Sequence, residues 1–187
     1  MHIGVLALQG AVTPHYAHLA ALGAEFSEVR AAADLANIDG LILPGGESSA
    51  MLRMMDYYDL KNPLGEFVGQ KPSWGICAGA ILLAREVRQP EQFSFGAIDM
   101  RVRRNAYGSQ LDSFHDEVKG YPVAFIRAPV IERVGADVKI LATKNDHPIW
   151  VEQGRAMATT FHAELTPDVP SPMHQRFTEI IRTHHKT

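Results

Sequence analysis

The stretch WGICAGAILLA, residues 74 to 84, holds the only cysteine of the chain with a glycine two positions away on each side. Gly75, Cys77 and Gly79 spell G-x-C-x-G, the cysteine form of a nucleophile elbow, in which a sharp strand-to-helix turn pushes the nucleophile into a strained, exposed position. Small residues at both flanking places let the two arms of the turn pass without a side-chain clash. A helix starting at Ala78 would aim unsatisfied N–H groups at the sulfur and favour the thiolate, the reactive form. A buried structural cysteine beside two packing glycines would leave the same local sequence, because free cysteine is among the most buried residue types.

A thiolate nucleophile needs a base to carry its proton and a group to orient that base. The segment TTFHAELTPD offers both. His162 and Glu164 are two residues apart just past an apolar run, so an extended chain points them to one side. A solvated surface pair would read the same way. The remaining histidines, His184 and His185 among them, show no such partnering and are expected at the surface. In LILPGGESSAM a buried strand ends at Pro44, two glycines follow, and Ser48 or Ser49 is placed to cap a helix. Backbone N–H groups at Gly46 and Ala78 would together suit an oxyanion, one of the largest contributions in acyl transfer. The Gly-Gly turn also fits a plain loop or a phosphate cradle, although it lacks the lysine of a P-loop and the spacing of a dinucleotide fingerprint.

The elements that must position these groups alternate in kind. HIGVLAL (2–8) is a short β-rich run, TPHYAHLAALGA has helical spacing with a stop at Gly23, EFSEVR (25–30) alternates, and DGLILP (39–44) is a continuous apolar run of the sort buried in a parallel sheet. Helical segments at 49–58 and 64–68 follow. KPSWGI and AGAILLAREV then repeat the strand-to-helix switch. From Phe93 to Phe161 the texture changes to short β-like runs, GAIDMRVRR, PVAFIRAPVI, VKILAT, PIWVEQ and RAMATTF, and a helix over 171–184 closes the sequence. The pattern predicts a three-layer α/β/α fold with a mostly parallel sheet and a small antiparallel excursion. Neither a repeat nor a linker divides the chain, so a single domain over 1–187 is expected.

Composition restricts the function classes. With 187 residues, 46% of them apolar and 21% charged, and a net charge of −3, the chain has the balance of an ordinary globular protein rather than a disordered one. Its 18 Lys and Arg are scattered, with no basic run interleaved with aromatics, and nucleic acid is set aside as a partner. One cysteine forms no internal disulfide, and the first residues carry neither a basic leader nor a span long enough for a bilayer. A reduced cytoplasm is the expected setting.

Taken together, GVLALQGAV, LILPGGESSAM, GICAGAILLA, VRRNAYGSQLDSF, FIRAPVI and FHAELT occur in that order over nearly the whole chain. In this the sequence resembles the class I (triad) glutamine amidotransferases and, more narrowly, the glutaminase subunits of pyridoxal 5'-phosphate synthase. GICAG with FHAEL marks the superfamily, whereas LQGAV, GGESS, RRNAYG and IRAP mark the narrower group. The resemblance implies a flavodoxin-like fold and a glutaminase with Cys77 as nucleophile and His162 and Glu164 as its partners. It implies a glutamine pocket from Gly46, Glu47, Ser48, Arg104, Ile126 and Arg127, and a synthase subunit that docks here, raises the activity and takes up the ammonia. The contact is expected near Gln9 and Gly10, although a polar residue at a strand end would serve equally for Gln9. No cofactor or metal is called for in this chain. Met51, Met54 and Met55 sit at helical spacing and suit the core better than a docking surface. Ala163 stands where the family usually has proline, and Ser49 and Ala50 replace a common Thr-Thr pair; neither change moves a reacting group. An amidotransferase serving another synthase, a thiol stress or redox protein of related architecture, and a binding module without chemistry are the alternatives. The redox protein would not need FHAEL, and the binding module would normally have lost a triad member.

Overall fold

The computed structural model describes residues 1–104 and 113–186, so residues 105–112 of the VRRNAYGSQLDSF motif lie outside it. The first half runs β1 (His2–Leu6), α1 (His15–Ala21), β2 (Glu25–Val29), β3 (Gly40–Leu43), α2 (Ser48–Tyr57), α3 (Lys61–Gln70), β4 (Ser73–Ile76), α4 (Ala78–Leu83) and β5 (Ala84–Arg88). The second half runs β6 (Ile98–Arg103), β7 (Phe114–Val118), β8 (Tyr121–Phe125), β9 (Val130–Val134), β10 (Lys139–Lys144), β11 (His147–Gln153), β12 (Ala156–Thr159) and α5 (Pro172–His184).

Seven strands form the central sheet in the order β10-β11-β12-β4-β3-β1-β2. The pairs β12–β4, β4–β3, β3–β1 and β1–β2 are parallel, and β11 runs antiparallel to both its neighbours. The expected parallel sheet with an antiparallel excursion is therefore present. The inner strands β1, β3, β4 and β12 are buried on both sides because both faces are covered there, whereas the edge strands β2 and β10 are largely exposed. Leu41 and Leu43 of β3 enter one apolar cluster with Met51 and Met55 of α2, and Ile42 between them enters the other with Leu19, Phe177 and Ile181. The same alternation splits Ala156 and Ala158 from Met157 in β12. Met54 packs at the edge of the first cluster, so the methionine stripe belongs to the core. Among the described residues no helix is long and apolar enough to cross a membrane.

Two local readings of the sequence give way to tertiary structure. AGAILLAREV has helical spacing throughout, but α4 stops at Leu83 and the chain continues as β5, paired in parallel with β6. Long-range pairing outweighs local preference there. Val87 is buried, and Glu86 accepts hydrogen bonds from Arg88 and Arg101, each at 2.7 Å. PVAFIRAPVI is likewise not one strand. It breaks at Ile126–Pro129 into β8 and β9, which belong to separate small sheets, with Arg127 at φ 45° in the break. β7 escapes the sequence pattern entirely, although it pairs with β8 through the two-residue turn Lys119-Gly120. Both turn residues have positive φ, 53° and 75°, as a type I′ hairpin demands.

Candidate active site

The elbow forms where β4 meets α4. Cys77 has φ 49° and ψ −99°, a conformation that costs a non-glycine residue about 1–3 kcal/mol and persists only where the surroundings impose it. The surroundings do so here. The Cys77 N–H donates to the Thr159 carbonyl of β12 at 2.8 Å, and the Cys77 carbonyl accepts from Ile81 N–H at 3.2 Å. A side chain on Gly75 would run into the backbone of Gly79, and one on Gly79 would overlap the Leu43 carbonyl of β3. Both flanking glycines are thus required by space, as the G-x-C-x-G pattern suggests.

His162 follows β12 and is clamped to β8 by a pair of backbone hydrogen bonds. Its N–H donates to the Ala124 carbonyl at 2.8 Å and its carbonyl accepts from Ala124 N–H at 3.0 Å. Its ring lies against Gly45, where a Cβ would overlap the imidazole. Nδ1 lies 2.6 Å from Oε1 of Glu164, whose side chain is wholly buried, so Nδ1 carries hydrogen as donor and Nε2 is left for Cys77, the other hydrogen-bond partner of the ring. Burial alone pulls the imidazole pKa down. Hydrogen bonds to Cys77 and Glu164, with the charges of both, overcome that and raise it to about 10. Burial likewise pushes the Glu164 carboxyl up, but the bond and charge of His162 hold it below the usual carboxylate range. Cys77, distant in sequence, and the neighbouring His162 and Glu164 form one contiguous unit.

A cleft of about 290 Å3 opens on the sulfur and is lined by Gln9, Gly10, Gly46, Glu47, Ser48, Cys77, Ala78, Arg104, Ile126, Arg127 and His162, with Gly45, Ile81, Pro129 and Leu165 among its other walls. Its floor gathers the residues after β1, β3, β4 and β12, the carboxyl ends of parallel strands, where open α/β sheets place their ligands. Every site residue expected from the sequence thus lines one cavity, except Glu164, which lies behind His162. The Cys77 thiol also donates a long contact of 3.8 Å to the Ile126 carbonyl.

The pocket loop corrects one expectation. Neither Ser48 nor Ser49 caps α2. Glu47 does, with its carboxylate accepting from the N–H groups of Ser49 at 3.3 Å and Ala50 at 2.8 Å. A carboxylate is a stronger acceptor than a hydroxyl and also suits the positive end of the helix. Ser49 Oγ donates to the same carboxylate, Arg104 Nη2 reaches Glu47 Oε1 at 3.1 Å and Ser49 Oγ at 3.2 Å, and Ser48 is buried with Oγ donating to Gln92 Oε1 at 3.0 Å. Burial raises the Glu47 carboxyl, and these bonds outweigh it and lower the pKa. Gln9 is a brace: its Oε1 accepts from Glu47 N–H at 2.8 Å.

The histidines supply a second correction. His15, His18 and His174 are fully buried rather than at the surface. The signal is present in the sequence, since His15 and His18 share one helical stripe with Leu19 on α1, as His174 does with Phe177 on α5. Among the described residues no cluster of His, Cys, Asp or Glu is arranged to hold a metal ion.

A family model described as the SNO glutamine amidotransferase family matches residues 5–182. The chain belongs to that family. It is 48% identical to a pyridoxal 5'-phosphate synthase subunit PdxT of Frankia alni, with 97% of this chain and 95% of the relative covered, and 49% identical to the subunit of the same name from Deinococcus radiodurans, covering 90% and 92%. A crystal structure of a glutamine amidotransferase superposes with a TM-score of 0.86 at 40% identity over 96% of this chain and 98% of that one. A second glutamine amidotransferase, from Thermotoga maritima, at 13% identity, TM-score 0.53 and coverage of 100% and 82%, shares the fold alone.

Proposed function

We propose that this member of the family hydrolyses L-glutamine to L-glutamate and ammonia, and delivers the ammonia to the synthase subunit of a pyridoxal 5'-phosphate synthase. The observation that carries the reading is the Cys77–His162–Glu164 unit at the floor of a cleft sized for one small molecule. Cys77 is the nucleophile and His162, its hydrogen-bond partner, the proton carrier. The sulfur attacks the side-chain amide carbon, and N–H groups of Gly46 and Ala78 stabilise the oxyanion that develops. The C–N bond breaks as His162 protonates the departing ammonia, leaving a γ-glutamyl thioester. Water, giving a proton to the same imidazole, attacks the thioester and releases glutamate, and the sulfur regains its starting state. Glu164 keeps the ring oriented.

The polar ends of the pocket suit the other end of glutamine. Arg104 and Arg127 bring positive charge for the α-carboxylate, Glu47 negative charge for the α-ammonium, and Ile126 an apolar wall for the methylenes, while Gly46 and Ser48 shape the loop. Ammonia in water would be protonated and lost, which favours direct transfer to a docked synthase. Gln9 and Gly10 line the cleft beside the loop that Gln9 braces, and the partner is expected to reach that loop. We place this chemistry in one domain over residues 1–187 and in the cytoplasm, where a lone thiol stays reduced.

Glutamate release from glutamine by the chain mixed with the synthase component of a pyridoxal 5'-phosphate synthase tests the reading. Release is expected to rise when the synthase is added and to vanish in Cys77→Ala; no glutamate from the mixture would overturn it. Labelling of Cys77 by an electrophilic glutamine analogue, blocked by glutamine, separates it from a redox thiol.

A further inference from the structure

Behind the triad lies a second layer of polar groups. Glu164 gives one oxygen to His162, but its Oε2 is sealed from solvent with no hydrogen-bond partner among the described residues. His15 Nε2 is in the same condition. An unpaired buried carboxylate oxygen and an unpaired buried ring nitrogen are each costly, and these two belong to side chains that interact electrostatically.

The hydrogen-bond chain behind His15 decides what its Nε2 carries. Ser171 Oγ accepts from His174 N–H at 3.1 Å and lies 2.6 Å from His174 Nδ1, and His174 Nε2 lies 2.9 Å from His15 Nδ1. Each contact needs one proton, so the chain runs wholly in one direction or wholly in the other. In one, Ser171 O–H donates to His174, His174 Nε2–H donates to His15, and His15 shows an N–H at Nε2. In the other, His15 Nε2 is a bare lone pair, which the neighbouring negative charge of Glu164 disfavours. His18 supports the same wall with no ambiguity. Its Nδ1 accepts from Ser171 N–H at 3.1 Å, leaving Nε2–H to donate to the Glu164 carbonyl at 3.4 Å. Burial, ahead of every neighbouring charge, pulls His15 down to about 4 and His174 well below its ordinary value, so both rings are neutral in this chain.

We propose that His15 is a positioning residue for the triad, presenting Nε2–H to Oε2 of Glu164 and, with His174 and Ser171 behind it, holding the carboxylate at the angle His162 requires. The proposal rests on the glutaminase reading of the triad, and goes beyond it by extending the machinery from β12 to α1 and α5. The titratable groups around Glu164 are His162 on its own segment, His15 and His18 on α1 and Tyr121 on β8, with His174 on α5 behind the α1 pair and Cys77 on the far side of His162.

Two measurements on the full chain test it. In the first, glutamate release with the synthase present is followed for His15→Phe and His15→Gln across pH 6–9. Phenylalanine fills the space without a donor and should lower kcat about tenfold with KM within about twofold, and flatten the pH profile. Glutamine, whose amide nitrogen can donate to Glu164 while its oxygen accepts from His174, should restore most of the loss. Parent-like kcat in the phenylalanine variant, or equal damage in both, would overturn the proposal. In the second, the ring-nitrogen NMR shifts of the parent should show His15 and His174 protonated at Nε2, and His15 protonated at Nδ1 instead would overturn it. Should the parent release no glutamate with the synthase, the preceding reading fails, while the ring shifts still decide the tautomer.

Discussion

His162 and His15 are both buried imidazoles, yet His162 is raised to about 10 and His15 is lowered to about 4. Burial acts on them in the same direction. The difference is what each ring touches. His162 holds hydrogen bonds to the Glu164 carboxylate and to Cys77, and His15 is linked through a neutral histidine to a serine hydroxyl. The front of the site keeps a charged pair at the cleft, and the back keeps neutral rings in the core.

The sharpest way to break this comparison is to remove the sulfur. Cys77→Ala should lower glutamate release by about 10^4-fold or more, with folding unchanged by circular dichroism. Near-parental turnover would place the chemistry elsewhere. Glu164→Ala should also be severe but roughly a hundredfold milder, because the carboxylate orients rather than reacts; equal losses would mean that it takes part in the bond-making steps. Gly79→Ala tests the elbow itself. The new Cβ would overlap the Leu43 carbonyl, and a loss of about 3 kcal/mol or more in urea unfolding is expected. A stable, active variant would show that the turn is not constrained by space.

Titration sharpens the same contrast. The folded pKa of His162 lies above the ordinary 6.5, so the stability it contributes is complete below about 6.5 and is lost as pH rises toward about 10. Glu164, held below 4.5, contributes stability that is present above that value and is lost as pH falls. Denaturation midpoints of the parent should therefore fall between pH 6.5 and 10, and fall less in Glu164→Gln, in which one of the two charges on the ring is gone. Parallel curves would remove the charged pair from the account. The smallest effect on stability is expected from Ser171→Ala, which loses the α5 cap and leaves His174 Nδ1 without its partner, for about 2 kcal/mol and a melting temperature lower by about 4–8 °C.

Which parts of this are legible in the sequence follows from the range of the forces involved. β1, β3 and β4 show themselves as apolar runs because burial on both faces leaves no polar alternation, and the elbow shows itself because its glycines are needed within two residues of the cysteine. The strand order is not legible, since it depends on pairings between distant segments. β5 is hidden inside a helical pattern by its pairing with β6, and β7 is hidden because its turn is Lys-Gly rather than one of the stronger hairpin signals. The cap of α2 falls one or two residues earlier than the serines suggest, because a carboxylate can do what a serine usually does. The histidines behind Glu164 read as surface groups when only their partners in sequence are considered, although their spacing with Leu19 and Phe177 marks a buried stripe.

The backbone at residue 77 also limits which atoms can ever serve there. At φ 49° and ψ −99° a β-branched side chain would collide with its own main chain, so threonine is barred from the role whatever its acidity. Only an unbranched heteroatom on Cβ fits, sulfur or the hydroxyl of serine, and laboratory evolution of a different nucleophile would have to rebuild the turn before it could change the element.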